Sequence, residues 1–396
     1  MSPVADLSPF DLAGPLPSGT TLLEASAGTG KTFTVAALVT RYVAEGVARL
    51  EEMLVITFGR AASQELRERV RAQLLEAERA LAAGPTGPDP DNQLLSLLLA
   101  GDEEERRRRR HRLRDALAAF DAATIATTHQ FCQLVLRSLG VAGDTDPGAG
   151  LVDSLDDLVE QVVDDLYLQR FGQLDERPPF DRAAALDLGH RAVGDPQATL
   201  AAADPATAGG ARVSFAADVR AEVERRKRRL GVLSYDDLLS RLARALEAAD
   251  APARDRMRRR WRIVLVDEFQ DTDPVQWQVI DRAFTGHATV VLIGDPKQAI
   301  YGFRGGDVVT YLAAAETATT RATLATNWRS DQALVDRLQV VLQGAALGDP
   351  RIVVRPVQAH RTGSRLAGAP QGTPFRLRVV AREGFRLTRH GAIPVR

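Results

Sequence analysis

The segment from Thr21 to Tyr42 constrains this chain more than any other. A short apolar run, Thr21-Leu22-Leu23-Glu24, passes through a loop of small residues into a helical stretch that begins at Lys31. A strand that leaves through a tight loop into a helix must have parallel neighbours, because only a crossover returns the chain to the same edge. The unit recurs: Met53 to Phe58 leads into Ala61 to Leu75 with helical spacing, and Ala123 to Thr128 leads into Gln130 to Leu139. Ile263 to Val266 and Val290 to Ile293 are unbroken apolar runs of the kind that parallel sheets bury on both faces. The expected fold is α/β, a parallel sheet with helices on both faces.

The loop itself carries chemistry. In Ala25-Ser26-Ala27-Gly28-Thr29-Gly30-Lys31-Thr32 the two glycines let backbone amides turn inward around an anion, and the following helix adds positive potential at its N-terminus. Lys31 can reach the outer phosphates of a nucleotide, and the Thr32 hydroxyl can ligate Mg²⁺. A strict phosphate-binding loop starts with glycine where this one has Ala25, a small side chain that loosens the match. Composition sharpens the point: of 51 Lys and Arg residues only three are lysines, Lys31, Lys227 and Lys297. A chain that otherwise chooses arginine keeps a compact ammonium at the loop.

A second apolar strand ends in two carboxylates, Asp267-Glu268. Asp267 can hold Mg²⁺ and Glu268 can orient and deprotonate an attacking water. Alone, adjacent acids at a strand end are as readily surface charges. With the loop they read as an ATP- or GTP-hydrolysing site.

Other features set bounds. The formal net charge is -1, so any contact with nucleic acid must come from local patches. The single Cys132 excludes an internal disulfide, and the six histidines are scattered rather than set at metal-ligand spacing. No run of about 18 apolar residues spans a bilayer, and Met1 to Asp6 lacks the regions of a signal peptide, so no membrane association and a cytoplasmic location are expected. Residues 76–117 and 141–231 interrupt the strand and helix alternation and read as mainly helical insertions. The arginine run Arg106 to Arg110 is a DNA contact or a solvated helix face, and Arg225 to Arg229 carries the same two readings. Glu383 to Arg396 shows neither a helical nor a strand period.

Three further segments resemble consecutive motifs of UvrD/Rep-type superfamily 1 DNA helicases: Asp267 to Asp273, Gly294 to Asp307, and Thr326-Asn327-Trp328-Arg329-Ser330. Within that family Leu23 to Thr32, with Phe10-Asp11 upstream, is most similar to the RecB type. The resemblance implies a RecA-like first motor domain over 1–75, 118–140 and 232–322, with the insertions 1B-like and a truncated second RecA-like domain over 323–396. It implies ATP and Mg²⁺, Gln298 as the γ-phosphate sensor, Arg329 as a clamp on that phosphate, and Trp328 stacked on the adenine unless it is a core tryptophan. On the DNA side it implies Phe58, Tyr301 and Phe303 under unpaired bases, with Thr57, Thr127, Thr128, His129 and Arg304 also on the strand.

By the same resemblance the activity is 3′ to 5′ unwinding of single-stranded and duplex-end DNA, in double-strand-break repair and recombination, beside RecC-like and RecD-like subunits. Gly59 stands where the family usually has Thr or Asn, and Gln130 where it has Gly; both lie toward the DNA groove. After Ser330 the family continues through two more motifs, and the RecB type adds a nuclease domain, so this chain is expected to be cut short. The alternative is a catalytically silent piece that binds ATP and partners without unwinding.

Overall fold

The structure is a computed structural model and describes residues 7–84, 92–139, 150–152, 154–173, 177–195, 198–204, 206–299, 307–368 and 373–376. Glu383 to Arg396 lie outside the described residues, as do Tyr301, Phe303 and Arg304.

In chain order the first elements are β1 (Ser8–Pro9), β2 (Thr20–Ala25), α1 (Lys31–Ala44), β3 (Met53–Thr57), α2 (Arg60–Ala83), α3 (Gln93–Leu99), α4 (Glu103–Ala118) and β4 (Thr124–Thr127). A largely helical stretch follows: α5 (Thr128–Leu139), β5 (Gly150–Leu151), α6 (Asp156–Phe171), α7 (Arg182–Gly194), α8 (Ala208–Leu230), β6 (Val232–Leu233), α9 (Tyr235–Ala245) and α10 (Pro252–Arg260). The remainder is β7 (Ile263–Val266), α11 (Pro274–Phe284), β8 (Thr289–Gly294), α12 (Val308–Thr317), β9 (Thr320–Leu324), β10 (Thr326–Asp331), α13 (Gln332–Leu342) and β11 (Gln358–Arg361).

The main sheet has seven strands in the order β1-β9-β2-β8-β7-β3-β4. The pairings β1 with β9, β9 with β2, β2 with β8, β8 with β7, and β7 with β3 are parallel. Leu22, Leu54, Val264 and Leu292 are fully buried, and so, to within 1%, are their chain neighbours Leu23, Val55, Leu265 and Val291 on the opposite face. Both faces of the central strands are therefore covered, which explains why the sequence reads as unbroken apolar runs there. The carboxyl ends of β2, β7 and β8 lie side by side, because Glu24 pairs in register with Gly294 and Val266 with Leu292.

By contacts the chain gathers into two compact units, one from the described residues within 1–125, 262–273 and 288–396, the other from those within 126–261 and 274–287. The second unit takes in α5, 232–261 and 274–287, and the first takes in α3 and α4. The expected start of a second domain at 323 falls inside β9, whose Thr323 and Leu324 pair with Glu24 and Ala25.

In the first unit α2 extends beyond the expected Leu75. Its stripe Leu66, Val70, Leu74, Ala77 and Leu81 is buried throughout, and no helix breaker occurs before Gly84. Helices α3 and α4 join the same core through Leu94, Leu98 and Leu113. Two arginines of the α4 run are engaged within the unit: Arg109 donates to the carbonyls of Leu98 and Ala100 at 2.8 and 2.7 Å, and Arg110 pairs with Glu78 at 2.8 Å. The second unit has one core of Val159, Val162, Val163, Phe180, Phe215, Val219 and Val223. Phe131, Trp261 and Phe284 cluster elsewhere in it, with ring centroids 5.5 to 6.5 Å apart. In its run Arg225 to Arg229, Arg225 and Arg226 pair with Glu222 and the buried Lys227 with Asp237 at 2.6 Å. No helix among the described residues is long and apolar enough to cross a membrane.

Candidate nucleotide-binding site

The site grows from the carboxyl end of β2. Ala25 closes the strand fully buried, and Ser26 to Gly30 turn the chain into α1. Gly28 and Gly30 sit at φ 80° and 87°, in the left-handed region. Gly28 is fixed by space as well: a Cβ there would lie 2.9 Å from the Cβ of Arg329. Thr29 folds the turn on itself, its amide and hydroxyl donating to the Ser26 carbonyl at 3.3 and 2.7 Å. Lys31 and Thr32 open α1, so a phosphate in the loop would meet the free amides of the first turn.

Across from the loop, β7 ends in Asp267 and Glu268. The Lys31 Nζ lies 2.9 Å from Glu268 Oε2, with 11% of the lysine side chain exposed. Among the described residues Glu268 is the one non-glycine with positive φ, at 51°. A left-handed conformation there costs on the order of 1 kcal/mol and is kept where surrounding structure enforces it. Gln270 supplies that enforcement: its Nε2 donates to Glu268 Oε2 at 2.7 Å, and its Oε1 accepts the Asp295 amide at 2.9 Å. The Gln270 side chain passes so close to β8 that a Cβ on Gly294 would sit 2.8 Å from its Oε1.

Asp267 is 7% exposed, so it is no surface charge. Burial, followed by the neighbouring Glu268 charge, pushes its pKa up to about 6. Asp271 is pushed up to about 6 by the same two causes. Two buried carboxylates whose charge is disfavoured by burial, beside a single ammonium, are short of positive charge, and a divalent cation would supply it. Gln298 Nε2 donates to Asp295 Oδ2 at 2.7 Å, and Lys297 Nζ lies 2.7 Å from the other oxygen of Asp295.

The segment Asn327 to Ser330 meets the loop directly. The Trp328 amide donates to the Gly28 carbonyl at 2.8 Å and Asn327 Nδ2 to the Ala27 carbonyl at 3.1 Å. Trp328 is 41% exposed and is not a core residue. Its ring lies against the His360 ring, centroids 4.1 Å apart, and a Cβ on Gly30 would touch it at 3.5 Å. Arg329 is exposed beside the loop.

Lys31, Asp267, Glu268, Gln298, Trp328 and Arg329 thus all belong to the first unit. Thr57 and Phe58 also belong there; Thr57 is buried at the end of β3, its hydroxyl without a hydrogen-bond partner among the described residues, and Phe58 is half-buried. Thr127, Thr128 and His129 belong to the second unit. The Thr127 amide is held by Gln130 Oε1 at 2.9 Å, and the half-buried His129 ring stands edge-on to Tyr235, centroids 5.2 Å apart. Gln130 therefore has a local role as reciprocal partner of Thr127. Sequence reasoning assigned no role to Gln270, Asp271 or Asp295, although all three stand inside the quoted motifs.

The chain matches the UvrD/REP helicase N-terminal domain over residues 12–319. It belongs to that family. The matched span holds the loop, both carboxylates and Gln298, while Trp328 and Arg329 lie beyond it. The RecBCD enzyme subunit RecB of Mycolicibacterium smegmatis is 64% identical over 378 residues, covering 94% of this chain and 34% of that protein. The RecBCD enzyme subunit RecB of Mycobacterium tuberculosis is 59% identical over 387 residues, 96% of this chain and 35% of that protein. The protein of the same name from Escherichia coli is 29% identical over 463 residues, 85% of this chain and 39% of that protein. The chain thus spans roughly a third of the length of these curated relatives.

Proposed function

We propose that this chain is the ATP-hydrolysing motor part of a RecB-type DNA helicase. The observation that carries the reading is the ion pair of Lys31 with Glu268 at 2.9 Å, between a phosphate-cradling loop and a strand-end acid. Without nucleotide, the ammonium is engaged by the carboxylate. A bound γ-phosphate competes for Lys31 and frees Glu268 to accept the proton of the attacking water as the bond to the ADP oxygen breaks. Glu268 is pre-aimed by Gln270 and by its left-handed backbone. Asp267 and Thr32 would hold Mg²⁺, which when bound offsets charge on the outer phosphates. Gln298 would exchange Asp295 for the γ-phosphate or the water, Arg329 would clamp that phosphate, and Trp328 would stack on the adenine.

On this reading the motor pulls single-stranded DNA 3′ to 5′ from a duplex end. Thr57, Phe58, Thr127 and His129 would lie on the strand, as would Tyr301, Phe303 and Arg304, which lie outside the described residues. It would work in the cytoplasm with RecC-like and RecD-like subunits in double-strand-break repair. Support comes from the names of the relatives, all RecB subunits of a RecBCD enzyme.

The test is ATP turnover by the purified chain with and without single-stranded DNA. Glu268→Gln should lower the rate about 10²- to 10⁴-fold with nucleotide still bound, and Lys31→Ala should weaken binding as well. Turnover that survives Glu268→Gln would overturn the reading.

A further inference from the structure

The nucleotide-site reading leaves a line of buried charge unused. Glu24, the penultimate residue of β2, is 5% exposed, and each of its carboxylate oxygens faces a different cation. Arg355 Nε donates to Glu24 Oε2 at 3.2 Å, and Lys297 Nζ stands 3.4 Å from Glu24 Oε1. Lys297 in turn lies 2.7 Å from Asp295 Oδ1, and Asp295 Oδ2 accepts the Gln298 amide at 2.7 Å. Two carboxylates and two cations thus form a neutral, enclosed chain that runs from Arg355 to Gln298.

Arg355 is delivered to this chain from both sides. Before it, a hairpin closes through Gly344 to Val354 at 2.9 Å and Leu347 to Ile352 at 2.9 Å. After it, the Val357 amide is fastened to Gln339 Oε1 of α13 at 2.9 Å. The array is poorly explained as a stability device. Buried ion arrays seldom outperform apolar packing, and this one leaves Arg355 Nη2 and the nearby Tyr311 hydroxyl buried without hydrogen-bond partners among the described residues.

We infer that Arg355 is a positioning residue for Gln298, acting through Glu24, Lys297 and Asp295. By neutralising Glu24 it leaves the Lys297 ammonium on Asp295, which holds the Gln298 amide. Without Arg355 the unbalanced Glu24 draws the Lys297 ammonium away, and Asp295 Oδ1 is left with the Lys297 amide alone, at 3.1 Å. The importance of Gln298 rests on the function proposed above; its placement by Arg355 does not.

Arg355→Met, Glu24→Gln and the double variant of the purified chain separate the possibilities by hydrogen exchange over residues 294–299, with 53–57 as an internal reference. In Arg355→Met the amides of Lys297 and Gln298 should exchange about tenfold faster while 53–57 stays unchanged, and kcat for ATP should fall about tenfold with nucleotide affinity kept within about twofold. The double variant removes one charge of each sign and should restore both readouts. Unchanged exchange over 294–299 in Arg355→Met, or a general rise that includes 53–57, overturns the inference. If Arg355→Met does not fold, the double variant decides: wild-type exchange over 294–299 supports the relay and faster exchange refutes it. Should the wild-type chain neither bind nor hydrolyse ATP, the proposed function falls, while the exchange comparison still decides what Arg355 does.

Discussion

The strand ends around Lys31 and the helix α4 are both crowded with charge, and they use it in opposite ways. On α4 five arginines end on carbonyl oxygens or glutamates close to the surface: Arg106 donates to the Gly101 carbonyl, Arg109 caps the end of α3, Arg108 pairs with Glu104 and Glu105, Arg110 with Glu78, and Arg112 donates to the Ala44 carbonyl at the end of α1. At the strand ends, Glu24, Asp267, Asp271 and Asp295 are buried, burial pushes the pKa of Asp267 and Asp271 up to about 6, and Glu268 has a backbone that non-glycine residues avoid. The difference teaches where this chain accepts cost. Charge that supports the fold is solvated or capped, whereas charge that has been taken out of water and left imperfectly satisfied marks a place built for a ligand.

The largest effect that sharpens this contrast falls on the helical side. Arg112 Nη1 donates to the Ala44 carbonyl at 2.9 Å, and the helix end it caps is buried. A charged hydrogen bond of this kind contributes about 1.5–3 kcal/mol, so Arg112→Ala should lower unfolding stability by about 2 kcal/mol in denaturant titration. Nucleotide affinity should not move. Loss of ATP binding without loss of stability would mean that the two regions are not divided in this way.

On the strand side a smaller effect of opposite sign is expected. The folded pKa of Asp267, about 6, lies above the ordinary carboxylate value. The folded chain therefore holds this proton more tightly than the unfolded one, and the associated stability is present at low pH and lost as pH rises through about 6. Above that, Asp267 is a buried charge that opposes folding. Asp267→Asn keeps the oxygen that accepts the Glu268 amide and removes the charge, so the metal-free chain should gain about 1 kcal/mol at pH 7 and nothing at pH 4. The same substitution should abolish Mg²⁺-dependent turnover. A gain that persists at pH 4 would assign the effect to packing.

The two regions were also unequally legible. The strand and helix alternation, the loop, and the acids at the end of β7 follow from local pattern, because continuous apolar runs and a glycine turn are written in adjacent residues. Residue 323 could not be recognised as interior to the sheet, since Thr320 to Leu324 contains two threonines and an arginine and gains its place by pairing with β1 on one side and β2 on the other. Arg109 and Arg112 of α4 were readable as charge but not as caps, because their carbonyl partners lie 9 to 68 residues away. Arg355 gave no signal: 331 residues separate it from Glu24, and no motif contains it. Gln270 stood inside a motif, but its grip on both β7 and β8 depends on the bare Cα of Gly294.

The smallest expected effect separates the two readings of the arginine run. Arg108 is half-exposed and pairs with Glu104 and Glu105 one turn back on its own helix, in the favourable order of acid before base. Exposed pairs of this kind contribute little, so Arg108→Ala should leave the melting temperature unchanged within error. If α4 only displays a solvated face, the slope of log K against log salt for single-stranded DNA should also be unchanged. If Arg108 instead neutralises a phosphate, the slope should shrink in magnitude by about 0.7, the contribution of one contact to a single strand. The pairing with two glutamates favours the first outcome, because a phosphate would have to displace both carboxylates before it released any counterion on the DNA.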